Sequence, residues 1–384
     1  MVSYKVLPNC KTLSGAGHND SDIDPFGPTT ADSDRDGHGA LRHATMTSRN
    51  SPPYPTKRPT DATYVDDPTL PTELLNLPWI DVHNHAHTLS WDDRERYALS
   101  GCRSMVMVAS GYHWTPYKPV EADDIRFLWD DAINRRAAIE RNHFFEAKLG
   151  LGVHTGVRIE NPDELLDAMA DYCGLDEVVA IGETGVTPTQ HVERWDVDAQ
   201  QAVVQAQMEL ADAHDLPVIL HTPNTSSDEK RSYREGVGIP GYEKNAGLGA
   251  KPVLDGENPA LDAVKRDVEA MRDAGLDDRQ VVASHADDNN TAYLMEETDC
   301  YLSYTIGHSW LIGVTAADVA DAIDEYGPER IMVDTDCANV LRTDPYALKR
   351  AIFELYRYGI DIDAISRVVF ENPRDVFGLA AESC

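Results

Sequence analysis

Short apolar, β-branched runs alternate with helix-like stretches along the chain from residue 79 onward. This alternation is typical of βα units, in which helices join parallel strands and pack on the sheet that they form. Eight such runs predict one (β/α)8 barrel (a TIM-type α/β fold), because that architecture accommodates about 300 residues in a single domain. The predicted strands are residues 79–86, 104–110, 148–156, 178–185, 217–222, 281–286, 300–307 and 331–338.

The intervals between the runs predict helices of unequal length. Helical periodicity is present at residues 124–145, 198–215 and 344–359, whereas the short interval after the sixth strand leaves room for only a stunted helix. The Gly- and Pro-rich residues 223–258, after the fifth strand, predict a long loop insertion. Its position in the chain places it over the barrel mouth, where active-site loops gather.

Residues 1–72 have a different composition, rich in Pro, Ser, Thr, Asp and Gly, and show neither the helical nor the strand period. We therefore expect a disordered or loosely docked extension, followed by the barrel at residues 73–384. Met46 offers a second start, so the sequence leaves open whether residues 1–45 are translated.

The chain is strongly acidic, with 66 acidic against 34 basic residues and a formal net charge of −32. Such an excess repels nucleic acid and anionic membranes at ordinary ionic strength, so nucleic acid is expected only as a substrate. The same excess is typical of halophilic proteins, the interpretation that we favour. Concentrated salt then screens the charge, which consequently says little about the substrate.

Other features bear on the cellular setting. The sequence contains no run of 18 or more apolar residues, so no membrane span is predicted. The first residues also lack the apolar segment of a secretory signal. We therefore expect a cytoplasmic protein. The six cysteines are scattered without a CxxC pair, which indicates reduced thiols. The oligomeric state stays open.

Histidines and carboxylates stand at the carboxyl ends of five predicted strands. In a barrel these positions face the active site, because apolar side chains fill the interior below them. Alternation along WIDVHNHAHT places the first two of its three histidines on one face. Imidazole and carboxylate together suit a divalent metal centre, although a single strand histidine is more often an ordinary core or surface residue. The candidate ligands are His83, His85, Glu183, His221, His285 and Asp336.

This donor set predicts one or two divalent ions and a hydrolytic reaction. It suits Zn²⁺, Mn²⁺, Fe²⁺ or Ni²⁺ better than Ca²⁺, and the metal stays open among those four ions and Mg²⁺. A carboxylate such as Glu183 can bridge two ions, and a metal-bridging hydroxide would attack phosphorus or carbon. Asp336 would take the proton and return it to the leaving group. His87 falls one step beyond the pair and is left outside the metal shell.

Residues 79–379 resemble the TatD-like metal-dependent hydrolases of the amidohydrolase superfamily. The resemblance rests on DVHNH at the first strand, GETG at the fourth, HTP at the fifth, SH at the sixth and DTD at the eighth. It implies a (β/α)8 barrel with a Glu after the fourth strand, where phosphotriesterase-like relatives use a carbamylated Lys. HTP resembles an archaeal TatD-related subgroup.

The resemblance also implies roles for the candidate residues. His83 and His85 would bind the more buried ion and Glu183 would bridge. His221 and His285 would serve mainly the second ion. Asp336 matches the acidic residue after the eighth strand and would be catalytic together with Glu183.

The sequence departs from the family pattern around the substrate pocket. GETGVTP lacks the Asp that often follows the Glu, Pro223 replaces an Arg, and SHADDNN replaces the usual His-Cys-Phe stretch. The metal site is therefore better supported than nuclease activity. His154 lies in GVHTG, which resembles the family's G-x-H-P stretch. Together with several basic or imidazole side chains it is a candidate substrate contact. The alternative is that these side chains belong to ordinary solvated loops. These candidates are His113, His154, Arg158, Lys230, Arg231 and His308.

The leading hypothesis is a metal-dependent hydrolase of a phosphoester, either nuclease-like or specific for a small phosphorylated metabolite. The alternative is hydrolysis of an amide, lactone or cyclic imide of a small molecule at the same centre. A catalytically idle scaffold barrel would predict lost ligands, whereas all six positions are filled. The expected partner is thus a small-molecule or nucleotide-like substrate. The sequence contains no P-loop and no GxSxG elbow.

Overall fold

In the computed structural model, the described part of the chain contains one sheet of eight parallel strands that pair in sequence order. Each predicted strand is present, so the (β/α)8 architecture is confirmed. The structure describes residues 69–110, 121–155, 161–187, 189–190, 196–223, 251–252, 254, 257–306, 314–338 and 344–380. The strands are β1 (Trp79–Asn84), β2 (Cys102–Ser110), β3 (Glu146–Gly152), β4 (Val178–Thr184), β5 (Val218–His221), β6 (Val281–Ser284), β7 (Tyr301–Thr305) and β8 (Ile331–Asp334).

Helices cover the outside of the sheet, which explains why the strands are continuous apolar runs and not alternating ones. The three predicted helices are confirmed within a few residues, and the helix after β6 is only seven residues long. The α-helices are α1 (Thr72–Asn76), α2 (Trp91–Leu99), α3 (Ala122–Asn142), α4 (Pro162–Ala170), α5 (Val197–His214), α6 (Pro259–Ala274), α7 (Thr291–Glu297), α8 (Ala316–Tyr326), α9 (Ala347–Arg357), α10 (Ile362–Ser366) and α11 (Asn372–Phe377).

Local sequence explains where the long helices begin and end. The Asp196 side chain accepts a hydrogen bond from the Asp198 backbone N–H and caps α5. Asn258 caps α6 in the same way, with Pro259 at the first helical position. Gly275 ends α6 in the left-handed conformation at φ +75°, which a residue without Cβ adopts at little cost.

The first and last strands meet just beyond their carboxyl ends. The His85 backbone N–H donates to the Cys337 carbonyl at 2.8 Å, and the Asp336 N–H donates to the His83 carbonyl at 2.8 Å. These bonds involve three of the predicted metal ligands. The closure of the barrel and the backbone of the candidate site are therefore built from the same residues.

Strand β4 lies unusually close to both of its neighbours, β3 and β5, at positions where glycine allows the approach. A Cβ on Gly152 would lie 2.6 Å from the Gly182 carbonyl carbon, and a Cβ on Gly182 would lie 2.5 Å from the Ile219 carbonyl oxygen. Neither contact is sterically acceptable, so both positions require glycine. The close approach brings the end of β3, which His154 follows, next to the end of β4, where Glu183 lies.

A carboxyl group is buried in the helical layer outside the sheet. Asp267 of α6 is fully buried and its Oδ1 accepts the Val186 backbone N–H at 2.8 Å. Its Oδ2 has no hydrogen-bond partner in the described part of the chain. Burial raises the pKa of Asp267 well above its usual range, although the Val186 N–H offsets part of this effect.

We expect Asp267→Asn to stabilise the protein increasingly as the pH rises above about 4. Because the pKa is raised on folding, the unfolded chain loses this proton above its own pKa of about 3.9, whereas the folded chain retains it. The free energy of unfolding of the wild type therefore falls by about 1.4 kcal/mol per pH unit relative to the non-titrating variant, up to the folded pKa.

Urea unfolding of both proteins at pH 4, 5, 6 and 7 and constant salt measures this difference. The carboxamide retains the acceptor for Val186, and the exposed Asp273→Asn on the same helix serves as the control. A difference between Asp267→Asn and wild type that does not change with pH would contradict the prediction.

The predicted extension and insertion fall largely outside the described residues. Residues 1–68 and 224–250 are among those not described, so the assignment of both segments stays a prediction. Residues Lys251–Pro252, within the predicted insertion, form a short antiparallel pair with Thr189–Gln190, which follow β4. Among the helices of the described residues, none is long and apolar enough to cross a membrane.

Candidate metal centre

The structure brings the six predicted ligands together at the carboxyl ends of β1, β4, β5, β6 and β8. Five of them are buried, and the His221 side chain is the most accessible at 24 % exposure. The Asp336 side chain follows at 12 %, whereas those of His83, His85, Glu183 and His285 are at most 3 % exposed. The centre therefore opens to solvent on the side of His221 and Asp336.

The pairing of His83 with His85 differs from a simple alternation along one strand. Strand β1 ends at Asn84, whose side-chain oxygen accepts the Ala86 N–H at 3.0 Å and turns the chain. His85 therefore lies in the following turn and not on the strand. The two rings are nevertheless adjacent, with centroids 5.7 Å apart at 78°.

The His83 imidazole faces two carboxylates without a hydrogen bond to either. Its Nε2 lies 3.6 Å from Glu183 Oε2 and 3.8 Å from Asp336 Oδ1, while His85 Nε2 lies 3.0 Å from the same Asp336 oxygen. Nε2 of His83 is buried and has no hydrogen-bond partner among the described residues. An unpaired buried nitrogen is costly, and a divalent cation among these donors would satisfy it. The residues present thus fit a metal ion.

The opposite ring nitrogens are held by groups of the barrel wall. His83 Nδ1 lies 2.6 Å from Ser284 Oγ, His85 Nδ1 2.8 Å from the Val108 carbonyl oxygen, and His285 Nδ1 2.7 Å from Thr305 Oγ1. Imidazoles that bind metals are typically oriented by such a bond to the other nitrogen. All three rings therefore direct Nε2 into the centre.

A carboxylate below the centre supports this arrangement. Asp334 Oδ2 accepts hydrogen bonds from Ser284 Oγ at 3.2 Å and from Ser303 Oγ at 2.5 Å. Because Ser284 donates its proton to Asp334, its oxygen is free to accept the Nδ1–H of His83. Sequence reasoning did not identify the two serines. For Ser284, the sequence signal was its position as a polar residue at the carboxyl end of the apolar run VVAS.

Glu183 belongs to two groups of possible ligands. The ligand atoms of His83, His85 and Glu183 lie within 4.8 Å of one another, and so do those of His154, Glu183 and His221. Glu183 Oε1 is 3.0 Å from His285 Nε2 and is also hydrogen bonded to His221 Nδ1. Its two oxygens therefore face different sets of imidazoles, the arrangement required of a carboxylate that bridges two ions.

Electrostatics concentrate negative potential at His83. Burial lowers the pKa of this imidazole, but the carboxylates of Glu183 and Asp336 outweigh burial and raise the pKa to about 10. Burial likewise raises the pKa of Glu183, yet His221 and His83 together hold it well below its usual range. A site that binds a proton this strongly between carboxylates also attracts a divalent cation in its place.

Two ligands occupy backbone conformations that are rare for residues with a side chain. His285 has φ 65° and Asp336 has φ 45°, both in the left-handed region. Such conformations cost free energy and cluster at functional sites, where the surrounding structure maintains them. For Asp336 the hydrogen bond from its N–H to the His83 carbonyl holds the backbone in place.

A match to a family model decides the identity of this barrel. The model described as TatD related DNase matches residues 80–378. The match extends from β1 to the end of α11 and includes all six predicted ligands. The chain belongs to the TatD-related DNase family.

Individual proteins are similar to this chain in sequence or in fold. An uncharacterized metal-dependent hydrolase from Methanocaldococcus jannaschii is 25% identical over 300 residues, which are 78% of this chain and 100% of that protein. The TatD-like protein from Archaeoglobus fulgidus is similar in fold, with a TM-score of 0.54 and 18% identity over 78% of this chain and 100% of that chain. The phosphotriesterase homology protein from Escherichia coli, solved with phosphate in its active site, has a TM-score of 0.50 and 16% identity, covering 79% and 99% of the two chains.

The TatD-related chain is thus a metal-dependent hydrolase with the fold of the amidohydrolase superfamily.

The remaining predicted substrate contacts divide into two groups. His154 is buried beside the centre, with its ring centroid 4.6 Å from that of His221. The other five lie outside the described residues and stay predictions. They are His113, Arg158, Lys230, Arg231 and His308.

His87, which sequence analysis left outside the metal shell, lies in a short 3-10 turn, with its ring centroid 6.0 Å from that of His85. Burial, aided by charge on His85 and Arg135, lowers the pKa of His87 to about 3. The imidazole is therefore neutral at physiological pH.

Proposed function

We propose that this TatD-related protein hydrolyses phosphoesters at a centre of one or two divalent ions. The observation that carries the proposal is the position of Glu183, buried between two groups of imidazoles that share it. The ions considered are Zn²⁺, Mn²⁺, Fe²⁺, Ni²⁺ and Mg²⁺. The residues proposed to hold them are His83, His85, Glu183, His221, His285 and Asp336.

Phosphoester chemistry is favoured over acyl chemistry by the family. The matching family model is described as a DNase, and a DNase cleaves phosphodiester bonds. The Escherichia coli protein of similar fold holds phosphate in its active site. We therefore propose a small phosphoester or the end of a nucleic-acid strand as the substrate.

Bound divalent ions supply a water of lowered pKa and polarise a phosphoryl oxygen of the substrate. The residues of the chain perform the remaining tasks. Asp336 lies at the open side of the centre. We assign to its carboxylate the acceptance of the proton of the attacking water and its delivery to the leaving oxygen. The Nδ1 bonds of His83 and His285 hold their rings so that Nε2 stays directed inward during this transfer.

The test is a substrate screen with full-length protein loaded separately with each of the five ions in high salt. Phosphodiesters, phosphomonoesters and short oligonucleotides are compared with amides, lactones and cyclic imides. We expect metal-dependent turnover of a phosphoester that a chelator abolishes and added metal restores. The Asp336→Asn variant, purified identically, controls for contaminating nucleases. Turnover confined to carbon–nitrogen or carbon–oxygen acyl bonds would overturn the phosphoester assignment.

A further inference from the structure

Three buried polar side chains of the outer helices reach the segments that follow β3 and β4. Gln207 and Gln200 of α5 and Asp267 of α6 are all 0 % exposed. Each accepts a backbone N–H from these segments, at distances of 2.8 to 2.9 Å. A helix position that faces a sheet is ordinarily apolar, because burying an amide without hydrogen bonds is costly. Here the three polar side chains are buried because they accept backbone N–H groups that no neighbouring strand among the described residues pairs with.

Gln207 makes the largest number of these contacts. Its Oε1 accepts the Val153 N–H at 2.8 Å, and its Nε2 donates to the Val153 carbonyl at 3.1 Å and to Thr184 Oγ1 at 2.6 Å. Val153 follows the end of β3, whereas Thr184 is the last residue of β4. One carboxamide therefore joins the ends of two neighbouring strands.

The joined residues are direct neighbours of the candidate metal centre. Val153 precedes His154 and Thr184 follows Glu183, and the ligand atoms of His154 and Glu183 belong to one group within 4.8 Å. Beyond Thr184, Gln200 and Asp267 hold the N–H groups of Thr187 and Val186. The backbone that follows Glu183 and the neighbouring end of β3 are thus held from the helical layer.

We propose that Gln207 is a positioning residue that sets the separation of His154 and Glu183 at the metal centre. The proposal rests on the metal-centre assignment of the preceding subsection. Without the carboxamide, the N–H and carbonyl of Val153 and the hydroxyl of Thr184 lose buried partners, so the two strand ends separate or admit water. Small displacements of this kind are sufficient to weaken a metal site and slow its reaction.

The test compares Gln207→Met, which keeps the length of the side chain but not its hydrogen bonds, with Gln205→Met as a matched control. Gln205 lies on the same helix, is half-exposed and donates to Glu209. In full-length protein stripped of metal, we expect amides of residues 150–155 and 183–187 to exchange about tenfold faster in Gln207→Met alone. Co²⁺ and Zn²⁺ alone serve as the metal probes.

We expect the dissociation constant for Zn²⁺ to rise about tenfold or more in Gln207→Met and the visible spectrum of bound Co²⁺ to change, with Gln205→Met unchanged. A loss of stability without a positioning role would leave that spectrum unaltered in the folded protein. Thr184→Val, which removes only the hydroxyl contact, should change the spectrum in the same direction and carries the test if Gln207→Met does not fold.

The outcomes separate the two assignments. If the wild type binds neither Co²⁺ nor Zn²⁺, the metal-centre assignment fails whatever the exchange rates are. If the wild type binds metal and both Gln207→Met and Thr184→Val retain its affinity and its Co²⁺ spectrum, the positioning role of Gln207 is overturned while the metal centre stands.

Discussion

Replacing His83 and His85 together by alanine should abolish metal binding and activity. The two imidazoles supply the most enclosed donors of the centre, and His221 and His285 face Glu183 from its other side. Loss of the ion removes its several kcal/mol of transition-state stabilisation, so turnover should fall by about a thousandfold or more. Metal content by plasma emission spectrometry and turnover of the phosphoester found in the screen measure the two effects.

The matched control for this double variant is His87→Ala. His87 belongs to the same histidine-rich stretch and lies in the 3-10 segment, but it is in neither group of possible ligands among the described residues. We expect this variant to retain its metal. Full metal content and turnover in the His83→Ala, His85→Ala variant would overturn the assignment of the ligands.

Asp336→Asn should lower kcat by a factor of about 10² to 10⁴ while leaving the metal in place. Asparagine keeps a side-chain oxygen that can accept a hydrogen bond from His85 Nε2. The other five proposed ligands are unchanged. The variant loses one negative charge and the capacity to take up and release a proton at the open side of the centre. The loss should therefore appear in kcat, with the metal content unchanged.

Parallel measurements of kcat and of metal content test this prediction. Asp324→Asn, an exposed carboxylate on α8, is the control for a change of one charge. If the Asp336→Asn protein contains metal and turns over at the wild-type rate, Asp336 is not the proton acceptor.

The order of strand ends explains why so much of the site could be predicted. In a parallel barrel every strand carries its carboxyl end to the same rim, so residues far apart in the sequence must converge there. His83 and His285 each lie about a hundred residues from Glu183 in the sequence. In the structure, a Glu183 carboxylate oxygen nevertheless lies 3.6 Å from His83 Nε2 and the other lies 3.0 Å from His285 Nε2. Only the alternation of apolar runs and the polar residue at each end were needed.

The supporting residues were not predictable in the same way. Ser284 and Gln207 stand in runs whose patterns indicate only a strand and an amphipathic helix. Serine and glutamine are common on protein surfaces, and nothing local distinguishes a solvated amide from one that is buried against another strand. Their roles depend on contacts across 201 and 54 residues of sequence, respectively.

The sequence by itself determined the eightfold βα order, the strand ends that carry imidazole and carboxylate, and the resemblance to TatD-like hydrolases. It did so because periodicity and residue type are local properties. The tertiary structure alone decided that His85 lies beyond β1, that Glu183 is shared by two imidazole groups, and that Gln207 joins β3 to β4. These features depend on packing between distant segments, where a shift of one ångström separates a hydrogen bond from an unpaired buried group.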